Sequence, residues 1–353
     1  NERIKLIMAY TTINKSSEHF NTKLYTGNGS TQSITGVGFQ PDWCWLKGRS
    51  FADYHVVNDA VRGATKSIYP NDTSSEGTQT NGLTSFDSDG FSIGNWSNIN
   101  LNGGTLASWN WKANGSGSTN TVGSINSTVS ANTTNGFSIV SYTGTGSAET
   151  MGHGLGVAPA CIIIKNTSDS GGVDWFVYHQ STGATNRTKL NQTVASATSS
   201  FINNTTPSPT VFNTEGGGAS GVNANNYIAY CFAEKQGYSK FGSYTGNGNA
   251  DGTFIYTGFS SAFVMVKRID STSDWTIFDN KRSTSGGNNV IDKALYPNGN
   301  WAEGTGTAVD FTSTGFKWRV NSSAYNGSGS SYIYMAFAKA PLVGTNNVPA
   351  NAR

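Results

Sequence analysis

The sequence predicts an all-β chain organised as a tandem array of three related β-sandwich, jelly-roll-like domains, and three observations carry that prediction. A long pattern occurs three times: LYTGNGSTQSITGVGF returns as VSYTGTGSAETMGHGLGV and again as GSYTGNGNADGTFIYTGF, with Tyr25, Tyr142 and Tyr244 as the opening tyrosines. Their spacing is that of small domains, not of solenoid turns. Of 353 residues 43 are glycine and only 12% are charged, with Ser, Thr and Asn filling the connections, which suits many short strands joined by turns. No stretch sustains a helical period; the best, around Asp59 to Lys66, allows a turn or two.

In chain order, residues 1–21 read as a polar N-terminal arm whose apolar patch, IKLIMAY, is too short to span a membrane, and Met8-Ala9 reads as a native start. Repeat 1 covers 22–113, an uncharged Gly/Ser/Thr/Asn linker covers 114–134, repeat 2 covers 135–236, repeat 3 covers 237–340 and a tail covers 341–353. The linker is expected to be extended or loosely attached, separating the first unit from a tighter second and third pair. Arms at both ends could bind neighbouring subunits, or be plain tails.

Within each copy the opening tyrosine leads through a turn to Gly38-Phe39, Gly156-Val157 or Gly258-Phe259, then to WCWLK, CIIIK or FVMVK, closing on Lys47, Lys165 and Lys267. Trp43 and Trp45 fall on one strand face, Cys44 and Leu46 on the other, and Cys161 to Ile164 is apolar on both, as in a strand inside a sandwich. Next come Asp53-Tyr54, Asp174-Trp175 and Asp274-Trp275, each before a short strand, with the carboxylate expected to cap a turn. Phe86 and Gly90, Phe212 and Gly216, and Phe311 and Gly315 recur, and each copy ends on an aromatic-rich strand, LASWNWKA, YIAYCFAE or YIYMAFAK. A feature kept in all copies reads as scaffold; one confined to a single copy is a candidate for function.

At 36% hydrophobic and 12% aromatic, each unit can bury a core. Cys44, Cys161 and Cys231 sit in apolar strands and read as buried free thiols. A net charge of +2 offers no basic patch for nucleic acid, and no segment reads as inserting in a membrane. The four histidines, His19, His55, His153 and His179, show no metal-ligand spacing, and no catalytic motif is present, so no cofactor, no metal and no enzymatic activity is expected. Asp87 and Asp89 in FDSDGF suggest a calcium loop, but a hairpin turn explains the equivalent positions of the other copies as well.

Glycan binding is the chemistry the loops best supply, through exposed aromatics as stacking platforms with Asn, Asp and Arg reading hydroxyls. Trp96 and Trp301 lie in polar contexts, GNWSNIN and NGNWAEG, and are the aromatics least expected in a core. Tyr54, Trp175 and Trp275 recur and read as packing. Arg49, His55, Asn58 and Arg62 mark the first unit as a copy-specific polar cluster, for which the plainer reading is a solvated loop.

The strings FNTKLYTGNGSTQSITGVGFQPDW, DYHVVNDAVRGATKSIY, LTSFDSDGFSIG, MGHGLGVAPA and YSKFGSYTGNG, with the closing MAFAKAPLVG, resemble the repetitive tail-fibre-like or structural virion proteins of tailed, especially marine, bacteriophages. The resemblance runs from about Met8 to the terminus and implies a non-enzymatic component of the virion surface, with other virion proteins as partners and a homo-oligomer by analogy. No coiled-coil shaft is visible. Two roles are therefore expected, adhesion to a host surface or its glycans, or decoration of the capsid; a glycan depolymerase would need a carboxylate pair that nothing in the sequence singles out.

Overall fold

The computed structural model describes residues 10–286 and 289–344, without the side chains of 307 and 308, so the apolar patch up to Met8-Ala9 and the end of the tail lie outside the described residues. The chain is all-β and of sandwich type. Among the described residues only a short 3-10 turn, Ser16–Glu18, and a four-residue α1, Ser97–Asn100, interrupt the strands. Asp59 to Lys66 forms turns between strands.

The first unit contains β1 (Phe20–Thr26), β2 (Gln32–Thr35), β3 (Trp43–Gly48), β4 (Val56–Asp59), β5 (Lys66–Ser67), β6 (Gly77–Thr78), β7 (Leu83–Asp87), β8 (Gly90–Ile93) and β9 (Thr105–Trp111). An antiparallel sheet in the order β1-β9-β3-β4 packs on a second, β2-β8-β7, around Ile34, Leu46, Phe91 and Leu106. First pairs with last and second with next-to-last, the wrapping of a jelly roll.

The second unit contains β10 (Ser118–Asn120), β11 (Ser127–Asn132), β12 (Phe137–Thr143), β13 (Glu149–Gly152), β14 (Cys161–Asn166), β15 (Phe176–His179), β16 (Asn186–Lys189), β17 (Ala197–Thr198), β18 (Val211–Thr214) and β19 (Asn226–Phe232). Its inner sheet repeats the order as β12-β19-β14-β15 and extends to eight strands with β10 and β11 on one side and β16 and β17 on the other. This corrects the expected linker: β11 pairs with β12, and Ser127, Val129 and Ser130 are buried, so the segment is part of the second sheet.

The third unit contains β20 (Ser239–Thr245), β21 (Phe254–Tyr256), β22 (Phe259–Arg268), β23 (Trp275–Asp279), β24 (Ile291–Ala294), β25 (Gly304–Phe311), β26 (Gly315–Trp318) and β27 (Ser331–Pro341). Its sheets run β20-β27-β22-β23 and β21-β26-β25-β24.

Each inner sheet is buried on both faces, which is why the WCWLK, CIIIK and FVMVK runs are apolar throughout. One face lines its own sandwich; the other joins a core shared by all three units, built from Trp43, Trp45, Trp109 and Trp111, then Cys161, Ile163, Tyr230 and Phe232, then Phe263, Met265, Met335 and Phe337. The registers match: Trp43 faces Trp111, Cys161 faces Phe232 and Phe263 faces Phe337 across their strand pairs. Phe337 brings the units together, its ring 5.3 Å from Phe20, 5.5 Å from Trp111 and 6.0 Å from Phe232. Burying each such side chain contributes about 1.5–3 kcal/mol. The array is therefore closed about a pseudo-threefold axis, and the first unit is not set apart from the other two.

The recurring residues follow from this closure. Lys165 Nζ donates to Thr73 O of the first unit (2.7 Å), Lys267 Nζ to Thr193 O of the second (2.8 Å) and Lys47 Nζ to Asn300 O of the third (3.3 Å), so each lysine clamps another unit in a cycle. Burial pushes all three ammonium groups down to about 8. The opening tyrosines Tyr25, Tyr142 and Tyr244 each donate to a backbone carbonyl, of Ile99, Ser220 and Tyr325. Beside them Gly27, Gly144 and Gly246 pass so close to a carbonyl, of Leu101, Val222 and Gly327, that a Cβ would overlap it.

Two copies also carry an asparagine cage. Asn100 accepts from Asn28 N–H and donates to Ser30 O and Gly94 O, and Asn326 does the same with Asn247, Asn249 and Val320. The three cysteines are buried free thiols. The described part of the arm packs on its own chain: Tyr10 Oη donates to Gly258 O, Ile13 enters the shared core, and Thr11 and Pro341 both rest on Gly237.

Candidate functional site

The strand registers revise the alignment of the copies around the predicted cluster. Val56, Phe176 and Thr276 are equivalent, each paired across from the last apolar residue of the preceding run. His55 therefore matches Trp175 and Trp275, and Tyr54 is the residue before. His55 N–H donates to Asn71 Oδ1 just as Trp175 N–H does to Asn191 and Trp275 N–H to Asn298. Trp175 and Trp275 are buried packing residues whose indoles donate to Tyr69 O and Lys189 O of another unit, both at 2.9 Å. His55 is fully buried, its Nδ1 accepting from Trp45 Nε1 at 2.9 Å, and burial holds its imidazole well below the ordinary range. It is not a surface contact residue.

Asn58 and Arg62 are corrected on the same ground. Asn58 is buried and donates to Ala64 O and Lys66 O. Arg62 lies against Asp59 (2.6 Å) and Glu76 (3.1 Å) with its side chain almost wholly buried. Nor is that arrangement confined to one copy: Arg282 binds Asp279 and Glu303 in the third unit with the same Asp-x-x-Arg spacing, a signal already present in the sequence. In the second unit His179 replaces the aspartate and bonds Tyr334 O at 3.1 Å. Arg49 forks onto Glu303 at 2.9 and 2.8 Å, joining the first unit to the third. Arg49, His55, Asn58 and Arg62 thus hold units together or order loops.

The two tryptophans fare differently. Trp96 is half-buried against the first sandwich, over Gly82 and edge-on to Tyr69 at 6.4 Å. Trp301 is 52% exposed. Its ring lies over Gly299, where a Cβ would overlap it, and meets Tyr296 edge-on at 5.7 Å, so one face is supported and the rest is open to solvent. Nearby, Asp53 N–H donates to Asn300 O at 2.9 Å. Tyr54 and Trp301 stand one residue on from the two ends of that bond. Tyr54, 42% exposed, leans on Tyr69 at 5.4 Å, which continues the aromatic row to Trp96. The seam between the first and third units so carries two supported aromatic groups with Asn300 and Asp53 between them. Trp301 lies outside the core as its polar context implies, whereas Tyr54, expected to pack like Trp175 and Trp275, is exposed because of the one-residue offset.

No cluster of three or more His, Cys, Asp or Glu among the described residues could hold a metal ion. In FDSDGF, Asp87 accepts from Ser85 and Ser92 hydroxyls within the β7–β8 hairpin, and Asp89 accepts from Gly36 N–H and Gly38 N–H (2.9 and 2.7 Å), tying that hairpin to the turn after β2. Glu303, the carboxylate nearest the seam in sequence to Trp301, is engaged by Arg49 and Arg282.

A family model described as Domain of unknown function (DUF7483) matches residues 15–341. No curated protein and no solved structure matches.

Proposed function

This chain belongs to the DUF7483 family, whose description assigns no activity, and we propose that it is a non-enzymatic surface component of a phage virion that adheres to host-surface glycans through the seam of Tyr54 and Trp301. The observation that carries the reading is Trp301 itself: a large ring kept half in solvent and pinned over a glycine, one residue on from the Asp53 N–H to Asn300 O bond between two units. A sugar face stacks on such a ring while Asn300 and Asp53 meet its hydroxyls. The virion setting rests on the resemblance of the long repeat strings to phage structural proteins. The engagement of Glu303 by two arginines supports binding without hydrolysis.

Particle adsorption and polysaccharide retention by Trp301→Ala and Tyr54→Ala test the proposal; unchanged binding in both would sink it, and release of oligosaccharides from the polysaccharide would refute the non-enzymatic part. Capsid decoration is the second reading. It is favoured by the pseudo-threefold body, which presents three related faces to a threefold neighbour. Immunogold labelling of intact particles separates the two, at the tail for adhesion and over the head for decoration.

A further inference from the structure

A second aromatic site lies where the second and third units meet the N-terminal arm. Here a groove of about 440 Å³ is lined by Tyr10, Glu234, Gln236, Lys240, Tyr256 and Gly258. That volume falls in the range of small-molecule sites, about 300–1,000 Å³. Tyr256 is 58% exposed on β21, and it is specific to this copy: it pairs with Gly315 where the first unit pairs Thr35 with Gly90. Phe254, two residues earlier on the same strand face, is also exposed and takes the place of Ser33. Scaffold does not require these aromatics, since the first unit builds the same strand with hydroxyl residues.

The groove is prepared on its other wall. Tyr10 Oη is fixed on Gly258 O at 3.0 Å, a position where a Cβ on residue 258 would press against that hydroxyl. Glu234 is held by Phe241 N–H (2.9 Å) and Gln180 (3.1 Å), and Lys240 reaches its other oxygen at 3.4 Å. The two charges offset each other, so the groove does not select an ionic ligand. Among the described residues no aliphatic side chain lines it to anchor a peptide. What it offers is aromatic faces beside carboxylate, amide, ammonium and backbone groups.

We infer that this groove is a second glycan subsite, taking a short neutral oligosaccharide with Tyr256 as the stacking ring and Glu234, Gln236 and Lys240 reading hydroxyls. It lies on a different junction from the Trp301 seam and does not depend on it.

The test is a glycan array of neutral and acidic oligosaccharides probed with the full chain as wild type, Tyr256→Ala, Tyr256→Phe and Trp301→Ala, each checked for an unchanged melting temperature. Tyr256→Ala is expected to lose at least tenfold in signal on a set of neutral glycans that Trp301→Ala retains, with Tyr256→Phe close to wild type. A Tyr256→Ala profile equal to wild type overturns the inference while leaving the seam untouched. Loss in Tyr256→Ala alone, with Trp301→Ala unchanged, supports the groove and removes the seam. Binding of acidic glycans only, or of none by the wild type, overturns the inference as well.

Discussion

Trp109 in the first unit donates its indole N–H to Asp279 in the third at 2.8 Å, while the guanidinium of Arg282, bound to the same carboxylate, lies 5.3 Å from the Trp109 ring. The second and first units repeat the bond with other residues, Tyr230 Oη donating to Asp59 at 2.7 Å. A buried ion pair and an aromatic donor therefore lock neighbouring sandwiches at equivalent places. Asp279→Ala strands the buried Arg282 charge and the indole donor, and is expected to cost about 3–5 kcal/mol. Urea denaturation measures it; a loss under about 1 kcal/mol would mean the lock is dispensable.

Phe337 touches all three units, so Phe337→Ala should lower one common transition by about 3–5 kcal/mol. Calorimetry that resolves a separate, unshifted transition for the first unit would contradict a shared core.

Acid sensitivity should come first from histidine. Burial lowers His179 to about 4 in the folded chain from the ordinary 6.5, and lowers His19, His55 and His153 too. Between those values the unfolded chain takes up protons that the folded one refuses, so stability is whole above about 6.5 and falls as pH drops toward 4. His179→Gln, still able to donate to Tyr334 O, should make the decline shallower by one proton. Identical slopes in urea midpoints between pH 7 and 4.5 would refute the assignment.

The asparagine cage offers a comparison within the chain. Asn100→Ala leaves Asn28 N–H without its acceptor and two carbonyls without their donor, for a loss of about 1–3 kcal/mol. The second unit builds the corresponding turn with Thr145 and Gly221. Introducing Asn28→Thr with Asn100→Gly should cost less than the sum of the single changes in a double-mutant cycle, and simple additivity would argue against the cage.

For the seam, Trp301→Ala should leave stability within about 0.5 kcal/mol and reduce polysaccharide retention at least tenfold, about 1.4 kcal/mol. Gly299→Val, which displaces the ring without removing it, should weaken retention in the same direction. Full retention by Gly299→Val would show that the ring's support does not matter.

The repeat, the sandwich class and the exposure of Trp301 were legible because each rests on local pattern: period-two alternation, recurring glycines and the polar context NGNWAEG. The shared axis was not, because an apolar strand face reads the same whether it meets its own partner sheet or another unit's. The offset at His55 hides behind the Asp-aromatic pair, which aligns Tyr54 with Trp275, although the loops after Lys47 and Lys267 are equally long and only the one after Lys165 is longer. Small residues hid β11: Ser127 and Ser130 are buried without looking apolar. Arg62 looks peculiar to one copy only when read without Asp59, since Arg282 follows Asp279 at the same spacing as Arg62 follows Asp59.

The meeting of Thr11 and Pro341 on Gly237 has a consequence for the order of the copies. Because the lysine clamps run in a closed cycle, and the arm at Thr11 and the end of β27 at Pro341 lie side by side on that glycine, no unit is first in space. A circular permutant, joined across Gly237's neighbours and reopened at the exposed turn of Asn114 to Gly117, would begin with the second sandwich and end with the first, and every clamp would find the same carbonyl.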